Sequence, residues 1–186
     1  MISFLRRTTL LTLLIASPAS ALPLVSVNGG ADMTFFTQRP AGMDLLGMGA
    51  NARVSALGLD LSAEGVKFSD RNYVEARFNT NLSPIPMLSL KPGIGIANTD
   101  YLKPGTTEWA PVVGVRGEFS PILMPVSVDA EASIAYPIST RQSIVRLDAG
   151  VNLSLLPFTS VRAGLKSFQT GSEQAFGPSI GLRVGL

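Results

Sequence analysis

The sequence contains no cysteine and no histidine. Without cysteine the fold cannot depend on disulfide bonds. Without histidine, Ser-His nucleophilic catalysis, histidine-based acid-base catalysis and histidine-rich zinc sites are excluded. The glycines lie within alternating segments, and none forms a phosphate-binding loop between a strand and a helix. The composition therefore predicts a protein that is not an enzyme and that carries no metal and no cofactor.

Long apolar runs and a strong charge bias are also missing. Outside the N-terminal segment there is no apolar stretch of about 18 residues, so a membrane-spanning helix is not expected. The formal net charge is only +2, and it includes Arg6 and Arg7 near the N-terminus. The rest of the chain is therefore close to neutral, and no nucleic-acid partner is expected.

The N-terminal segment has the form of an export signal. Arg6 and Arg7 precede an apolar core, Leu10 to Ala16, and Pro18 and the small residues Ala19-Ser20-Ala21 follow it. This order predicts a secretory signal peptide at residues 1–21 with cleavage after Ala21. Residues 22–186 then have the length of a single domain.

The clearest pattern in the remaining chain is the stretch from Val145 to Lys166, in which two alternating runs flank a short Leu-Pro turn. Successive side chains of a strand point to opposite faces, so such a stretch predicts a hairpin with one apolar and one polar face. In its first run the apolar parity holds Val145, Leu147, Ala149, Val151 and Leu153, and the polar parity holds Arg146, Asp148, Gly150 and Asn152.

Similar alternation continues through the chain and predicts ten strands of about ten residues. Two irregularities are expected, namely a β-bulge at Gly65, where the apolar parity shifts to Val66 and Phe68, and a second local bulge at Pro92. An alternative has eight strands, with Val25–Ala56 as an extension or plug. Besides the Val145–Lys166 hairpin, the expected strands are Val25–Phe35, Leu46–Ala56, Leu59–Phe68, Tyr73–Leu82, Met87–Ala97, Trp109–Phe119, Val126–Tyr136 and Phe176–Leu186.

Serial hairpins of this kind resemble the small bacterial outer-membrane β-barrels. The resemblance covers nearly all of the chain after the signal peptide, and it rests on architecture because no diagnostic motif is present. It implies an all-β fold, an antiparallel up-and-down transmembrane β-barrel. It also implies the outer membrane of a diderm bacterium as the location, with outer-membrane lipid and the barrel assembly machinery as partners. The oligomeric state stays open.

The charged residues of the polar parity are predicted to form an ionic network in the barrel lumen. An unpaired buried ion costs several kcal/mol, so an enclosed lumen requires charges of both signs in similar numbers. Glycines on the same parity, such as Gly114, Gly150 and Gly164, leave room for long side chains. The predicted network consists of Asp32, Arg53, Asp60, Glu64, Lys67, Glu75, Arg77, Lys91, Arg116, Glu118, Asp129, Glu131, Arg146, Asp148, Arg162, Lys166 and Arg183.

Aromatic residues near the strand ends on the apolar parity predict belts at the two membrane interfaces. Membrane barrels place rings there, whereas a soluble core places its largest rings in the middle. The predicted belt residues are Phe35, Phe68, Trp109, Phe119, Tyr136 and Phe176.

Two functional classes fit these patterns. The first is a membrane-embedded barrel with a salt-bridged polar lumen, either structural or a narrow passive pore. The second is an exported soluble β-barrel that binds a lipid or another apolar ligand. They differ in the direction of the apolar face, which points outward in a membrane barrel and inward in a soluble one.

Overall fold

The computed structural model describes residues 25–68, 71–102 and 105–185, and the predicted signal peptide lies outside this part of the chain. The described residues form strands joined by turns and loops, and they contain no helix that is long and apolar enough to cross a membrane. The strands are β1 (Val25–Phe35), β2 (Leu46–Ala56), β3 (Leu59–Lys67), β4 (Asn72–Thr80), β5 (Leu82–Ile85), β6 (Leu88–Thr99), β7 (Glu108–Phe119), β8 (Val126–Ala135), β9 (Ile144–Leu156), β10 (Thr159–Thr170) and β11 (Glu173–Gly185).

The strands form one closed antiparallel barrel. Strands adjacent in the sequence pair with each other, except for β4 and β5, and β1 also pairs with β11, which closes the sheet. The segments β4 and β5 are separated only by Asn81 and both pair with β6, so they count as one strand of the barrel wall. The prediction of a ten-stranded up-and-down barrel is confirmed. The eight-stranded alternative is wrong, because β1 and β2 belong to the wall.

The two ends of the barrel differ in their connections. At one end, here called the turn end, two-residue turns join β2 to β3 and β9 to β10, and β1 begins and β11 ends there. The turn after β2 has positive φ at both central residues, 51° at Leu57 and 81° at Gly58, as a type I′ hairpin requires. The opposite end, here called the loop end, carries longer connections such as residues 36–45 and 136–143.

The apolar parity faces outward and the polar parity faces the lumen. In β9, Leu147 and Val151 are about half exposed on the outer surface, whereas the side chain of Arg146 is only 1% exposed. The same alternation of exposed and buried positions runs through β3, β4, β8 and β11. A closed wall leaves no unpaired edge, so the backbone hydrogen bonds are made between strands.

The predicted bulge at Gly65 is wrong. Strand β3 keeps one register with both neighbours, from Ala56↔Leu59 to Met48↔Lys67 on the β2 side. Strict alternation therefore continues, and Val66 and Phe68 point inward while Lys67 points outward. Val66 and Phe68 can face the lumen without a bulge, because the lumen is lined by apolar side chains at this end.

The predicted bulge at Pro92 is also wrong. The pairing of β6 with β7 continues without a shift through Pro92↔Val115. On its other side, β6 meets the interruption between β4 and β5 at Asn81, whose backbone N–H donates to the Gly58 carbonyl at 2.9 Å. The missing N–H of the proline thus falls where the neighbouring wall strand is already interrupted.

Candidate functional site

The lumen is the candidate functional site, and its lining changes from one end of the barrel to the other. At the turn end it opens into a polar cavity, here called the vestibule. The middle holds interlocked charged side chains, here called the ionic layer. At the loop end it is filled by apolar rings, here called the aromatic layer, which consists of Phe36, Phe68, Tyr73, Tyr101 and Phe168.

Arg146 lies at the centre of the ionic layer. Its guanidinium contacts Glu64 at 2.9 Å and Glu75 at 3.4 Å, and it also donates a short hydrogen bond to Glu131. Arg77 reaches two of the same carboxylates, with 3.0 Å to Glu75 and a short hydrogen bond to Glu131. Three wall strands, β3, β4 and β8, thus place carboxylates around one guanidinium from β9.

Lys166 and Arg162 of β10 extend the layer on the other side of the lumen. The Lys166 ammonium lies 2.8 Å from Asp32, 3.3 Å from Glu64 and 3.6 Å from Asp148. Arg162 donates to Asp148 and, at 3.1 Å, to Asp129. Because Glu64 also contacts Arg146, the two halves form one continuous network, which satisfies the requirement for paired charges in a closed interior.

Nearer the turn end, cations of the wall share carboxylates that lie beneath them. Asp60 accepts from Lys91 at 3.1 Å and contacts Arg53 at 3.4 Å. Asp129 contacts Arg183 at 3.2 Å in addition to Arg162. These charge-assisted hydrogen bonds hold the vestibule floor to the ionic layer.

Glycines facing the lumen provide the volume that the guanidinium groups occupy. A methyl group added at Gly150 would lie 2.6 Å from the Cζ atom of Arg162, and one at Gly164 would lie 2.8 Å from its Nη1 atom. Gly114 stands in the same relation to Arg77. Interiors are packed without spare space, so these wall positions exclude larger residues.

The predicted network residues fall into three groups by position. Glu118 lines the vestibule. Lys67 is placed differently from the prediction, on the outer surface near the loop end, because β3 has no bulge. The remaining residues face the lumen and make the ion pairs there; they are Asp32, Arg53, Asp60, Glu64, Glu75, Arg77, Lys91, Arg116, Asp129, Glu131, Arg146, Asp148, Arg162, Lys166 and Arg183.

The aromatic layer is a compact group of rings. Phe168 contacts Phe68 with centroids 5.5 Å apart, Tyr73 at 5.6 Å and Tyr101 at 5.7 Å, and Phe36 packs on Phe68 at 5.3 Å. Burial raises the pKa of Tyr101 to about 12, so its hydroxyl stays protonated. Edge-to-face and stacked rings of this kind add to the stabilisation from burial alone.

The aromatic layer is joined to the ionic layer and is covered from the loop end. The Tyr73 hydroxyl donates to Glu75 at 2.7 Å. At the loop end, the connection between β1 and β2 buries Met43 against the aromatic layer. Arg71 stacks 5.6 Å from the centre of the Tyr101 ring and donates to the Tyr101 carbonyl.

The sequence patterns did not predict the aromatic layer, although its signal was present. Phe36 continues the parity of Asp32 and Thr34, and Phe168 continues that of Arg162 and Lys166. Aromatic residues on the polar parity indicate that rings fill part of the lumen. The predicted place of Phe68 in the outer belt depends on the bulge at Gly65; because β3 has no bulge there, the ring points inward and is 1% exposed.

The other predicted belt residues lie on the outer surface. Phe35, Trp109 and Tyr136 are exposed near the loop end, with Trp109 at 60%, and Phe119 is exposed at the turn end. Phe176 lies on the outer parity near the loop end and is half-buried. Its backbone pairs with Gln38, which ties the connection after β1 to the wall.

The vestibule is a cavity of about 480 Å³ that is open at the turn end. Its wall carries Arg53, Lys91, Arg116 and Arg183, one carboxylate from Glu118, and several serine hydroxyls and asparagine amides. In the described part of the chain no group of three or more acidic side chains is placed to hold a metal ion.

No family model matches the sequence, and no curated protein matches it. Solved structures similar in fold include an anion-selective porin from Comamonas acidovorans, at TM-score 0.46 and 11% identity, over 84% of this chain and 56% of the porin. The KdgM porin in complex with disordered oligogalacturonate matches at TM-score 0.45 and 10% identity, over 86% and 98% of the two chains. The N-terminal β-barrel domain of Pseudomonas aeruginosa OprF matches at TM-score 0.38 and 10% identity, over 87% and 96%. The chain thus spans just over half of the first porin's length, and its architecture resembles that of bacterial outer-membrane β-barrels, as the sequence predicted.

Proposed function

We propose that this chain is an integral outer-membrane β-barrel whose lumen is closed to solutes, so that it serves the envelope as a structural or barely conducting barrel. The observation that carries the proposal is the direction of the two faces. Large apolar side chains cover the outside of a closed wall, and the ionic and aromatic layers occupy the inside. In lipid this direction is favourable because only the outer face meets hydrocarbon.

Closure of the lumen is supported by the succession of two different barriers. The ionic layer crosses the barrel through the contacts of Arg146 and Lys166, and the ring group around Phe168 fills the loop end. A hydrated solute would have to break ion pairs and displace packed rings in turn. Ten-stranded walls enclose little more than their own side chains, so few groups are needed to close them.

The alternative of an exported soluble barrel that binds an apolar ligand has less support. Such a protein needs an apolar interior and a polar surface, whereas Arg146, Glu75 and Lys166 are buried and Leu147 and Val151 are exposed. Exposed apolar patches of this extent mark membrane or partner surfaces in folded proteins.

Membrane fractionation of the wild-type chain, with one control variant, tests insertion. We expect the wild-type chain in the outer-membrane fraction after carbonate washing, with the faster gel migration of a folded barrel in unheated samples. Val151→Leu keeps the outer face apolar and should behave in the same way. Recovery of the wild-type chain in the soluble periplasmic fraction would contradict the proposal and favour the soluble alternative.

Planar-bilayer recording tests closure. The purified wild-type barrel should show no long-lived openings. Phe168→Ala should still be closed because the ionic layer remains, whereas Phe168→Ala combined with Arg146→Ala should leak because both layers are then disrupted. Large stable openings by the wild-type barrel would exclude the closed lumen while leaving membrane insertion intact.

A further inference from the structure

The vestibule has a charge composition that the rest of the lumen lacks. Arg53, Lys91, Arg116 and Arg183 reach its surface, and Glu118 is the carboxylate that lines it. The cations come from β2, β6, β7 and β11, so they surround the cavity instead of lying along one strand.

The carboxylates that pair with these cations lie below them and are shared. Asp60 contacts both Arg53 and Lys91, and Asp129 contacts Arg162, Arg183 and, at 3.9 Å, Arg116. Arg162 is also paired with Asp148, and Arg116 with Glu131, so three cations, Arg53, Lys91 and Arg183, share two carboxylates at this depth.

The positive charges of the vestibule are also more accessible than the negative ones. The side chains of Arg183 and Lys91 are 22% and 13% exposed, whereas those of Asp60 and Asp129 are 1% and 3% exposed. A solute in the vestibule therefore meets the cations first, and the carboxylates mainly hold those cations in position. Clefts lined by one sign of charge with low-dielectric walls concentrate ions of the opposite sign.

We propose that the vestibule is a binding site for a small organic oxyanion, such as a sugar phosphate, that enters from the turn end. The guanidinium and ammonium groups supply charge-assisted hydrogen bonds to phosphate or carboxylate oxygens. The hydroxyls of Ser55, Ser127 and Ser154 and the amide of Asn51 line the same cavity and can bond to hydroxyl groups of the ligand. A volume of about 480 Å³ exceeds that of bare phosphate and lies in the range of small-molecule sites.

This site does not depend on conduction, because the ligand enters and leaves through the same opening. The ionic layer beneath it acts as a floor. An oxyanion bound there would complete the coordination of cations that now share one carboxylate, so its binding should also stabilise the barrel.

Two single variants weaken the site while leaving the floor paired. Lys91→Gln leaves Asp60 with Arg53, and Arg183→Gln leaves Asp129 with Arg162. Lys67→Gln is the matched control, because it removes a cation from the outer surface far from the vestibule. Folding of each variant is checked by its gel migration without heating.

The experiment is calorimetric titration of the full barrel in uncharged detergent at low ionic strength, with glucose 6-phosphate as probe and glucose as its uncharged match. We expect binding of glucose 6-phosphate alone, weakened at least tenfold in both vestibule variants, unchanged in Lys67→Gln, and reduced by added salt. No heat of binding to the folded wild-type barrel at millimolar probe, or equal affinity in all variants, would overturn the proposal.

A lipid phosphate could supply the same chemistry as a free solute, and a second arm separates the two sources. The titration is repeated in phosphatidylcholine nanodiscs with and without phosphatidylglycerol. Affinity reduced by phosphatidylglycerol in the wild-type barrel assigns the site to a lipid headgroup, and equal affinity in both discs assigns it to a soluble oxyanion. Both results support an oxyanion site at the turn end.

Discussion

Arg146→Met removes the guanidinium at the centre of the ionic layer while keeping most of the side chain's length. The group is 1% exposed and contacts Glu64, Glu75 and Glu131. After its loss Glu64 keeps Lys166, and Glu75 and Glu131 keep Arg77, so none of the three is left wholly unpaired. The three carboxylates then share two cations, so one buried negative charge is uncompensated, and we expect a loss of about 3–5 kcal/mol of unfolding free energy.

Urea unfolding in lipid vesicles measures this change through the fluorescence of Trp109, the single tryptophan, which lies on the outer surface. Lys67→Met is the control, a cation removed from the outer face, and it should change the unfolding free energy by less than about 1 kcal/mol. Adding Glu131→Gln to Arg146→Met restores the charge balance and should recover part of the loss, a coupling of about 0.5–3 kcal/mol. A loss below about 1 kcal/mol for Arg146→Met, with no coupling in the double variant, would refute a closed and desolvated ionic layer.

Three further changes test the outer face, the wall and the aromatic layer. Val151→Arg places a charge on the lipid-facing side of β9 and should cost roughly 2–4 kcal/mol, seen as lost insertion in vesicle-folding gels, whereas normal folding would reverse the assigned faces. Gly150→Ala pushes a methyl group against the guanidinium of Arg162 and should cost about 1–3 kcal/mol in urea unfolding, while the outward Gly117→Ala, whose added methyl would lie 3.6 Å from Leu90, should be nearly neutral. Phe168→Ala removes the ring that contacts Phe68, Tyr73 and Tyr101 and should cost about 3–5 kcal/mol by the same measurement, and a negligible change would mean that the rings do not pack as a unit.

The wall of the barrel was predictable because local alternation determines it. Each hairpin repeats the same two-residue period, and a turn such as Leu57-Gly58 requires only adjacent residues. The two errors, at Gly65 and Pro92, arose where a glycine or a proline interrupts the pattern. In both cases the neighbouring strands hold the register, and a single-sequence pattern contains no information about those neighbours.

The partners within the lumen were much less predictable than the list of charged residues. Lys166 and Asp32 are 134 residues apart in sequence, and Arg77 and Glu131 are 54 apart. These side chains meet across the barrel interior, so barrel closure and the strand registers determine which of them form ion pairs. Parity predicts only that these side chains face the same enclosed space.

The aromatic layer explains how the ionic layer can remain desolvated although the vestibule is open to water. In the described part of the chain, the rings around Phe168 fill the lumen at the loop end, and water reaches the charges through the vestibule at the turn end. The hydrogen bond from Tyr73 to Glu75 joins the two layers. Desolvation strengthens each ion pair. Because the carboxylates are shared between cations, each charge of the ionic layer keeps a partner. The opening at the turn end therefore accounts for the accessible cations of the vestibule above the buried pairs, and it is the place where a soluble anion can reach the interior.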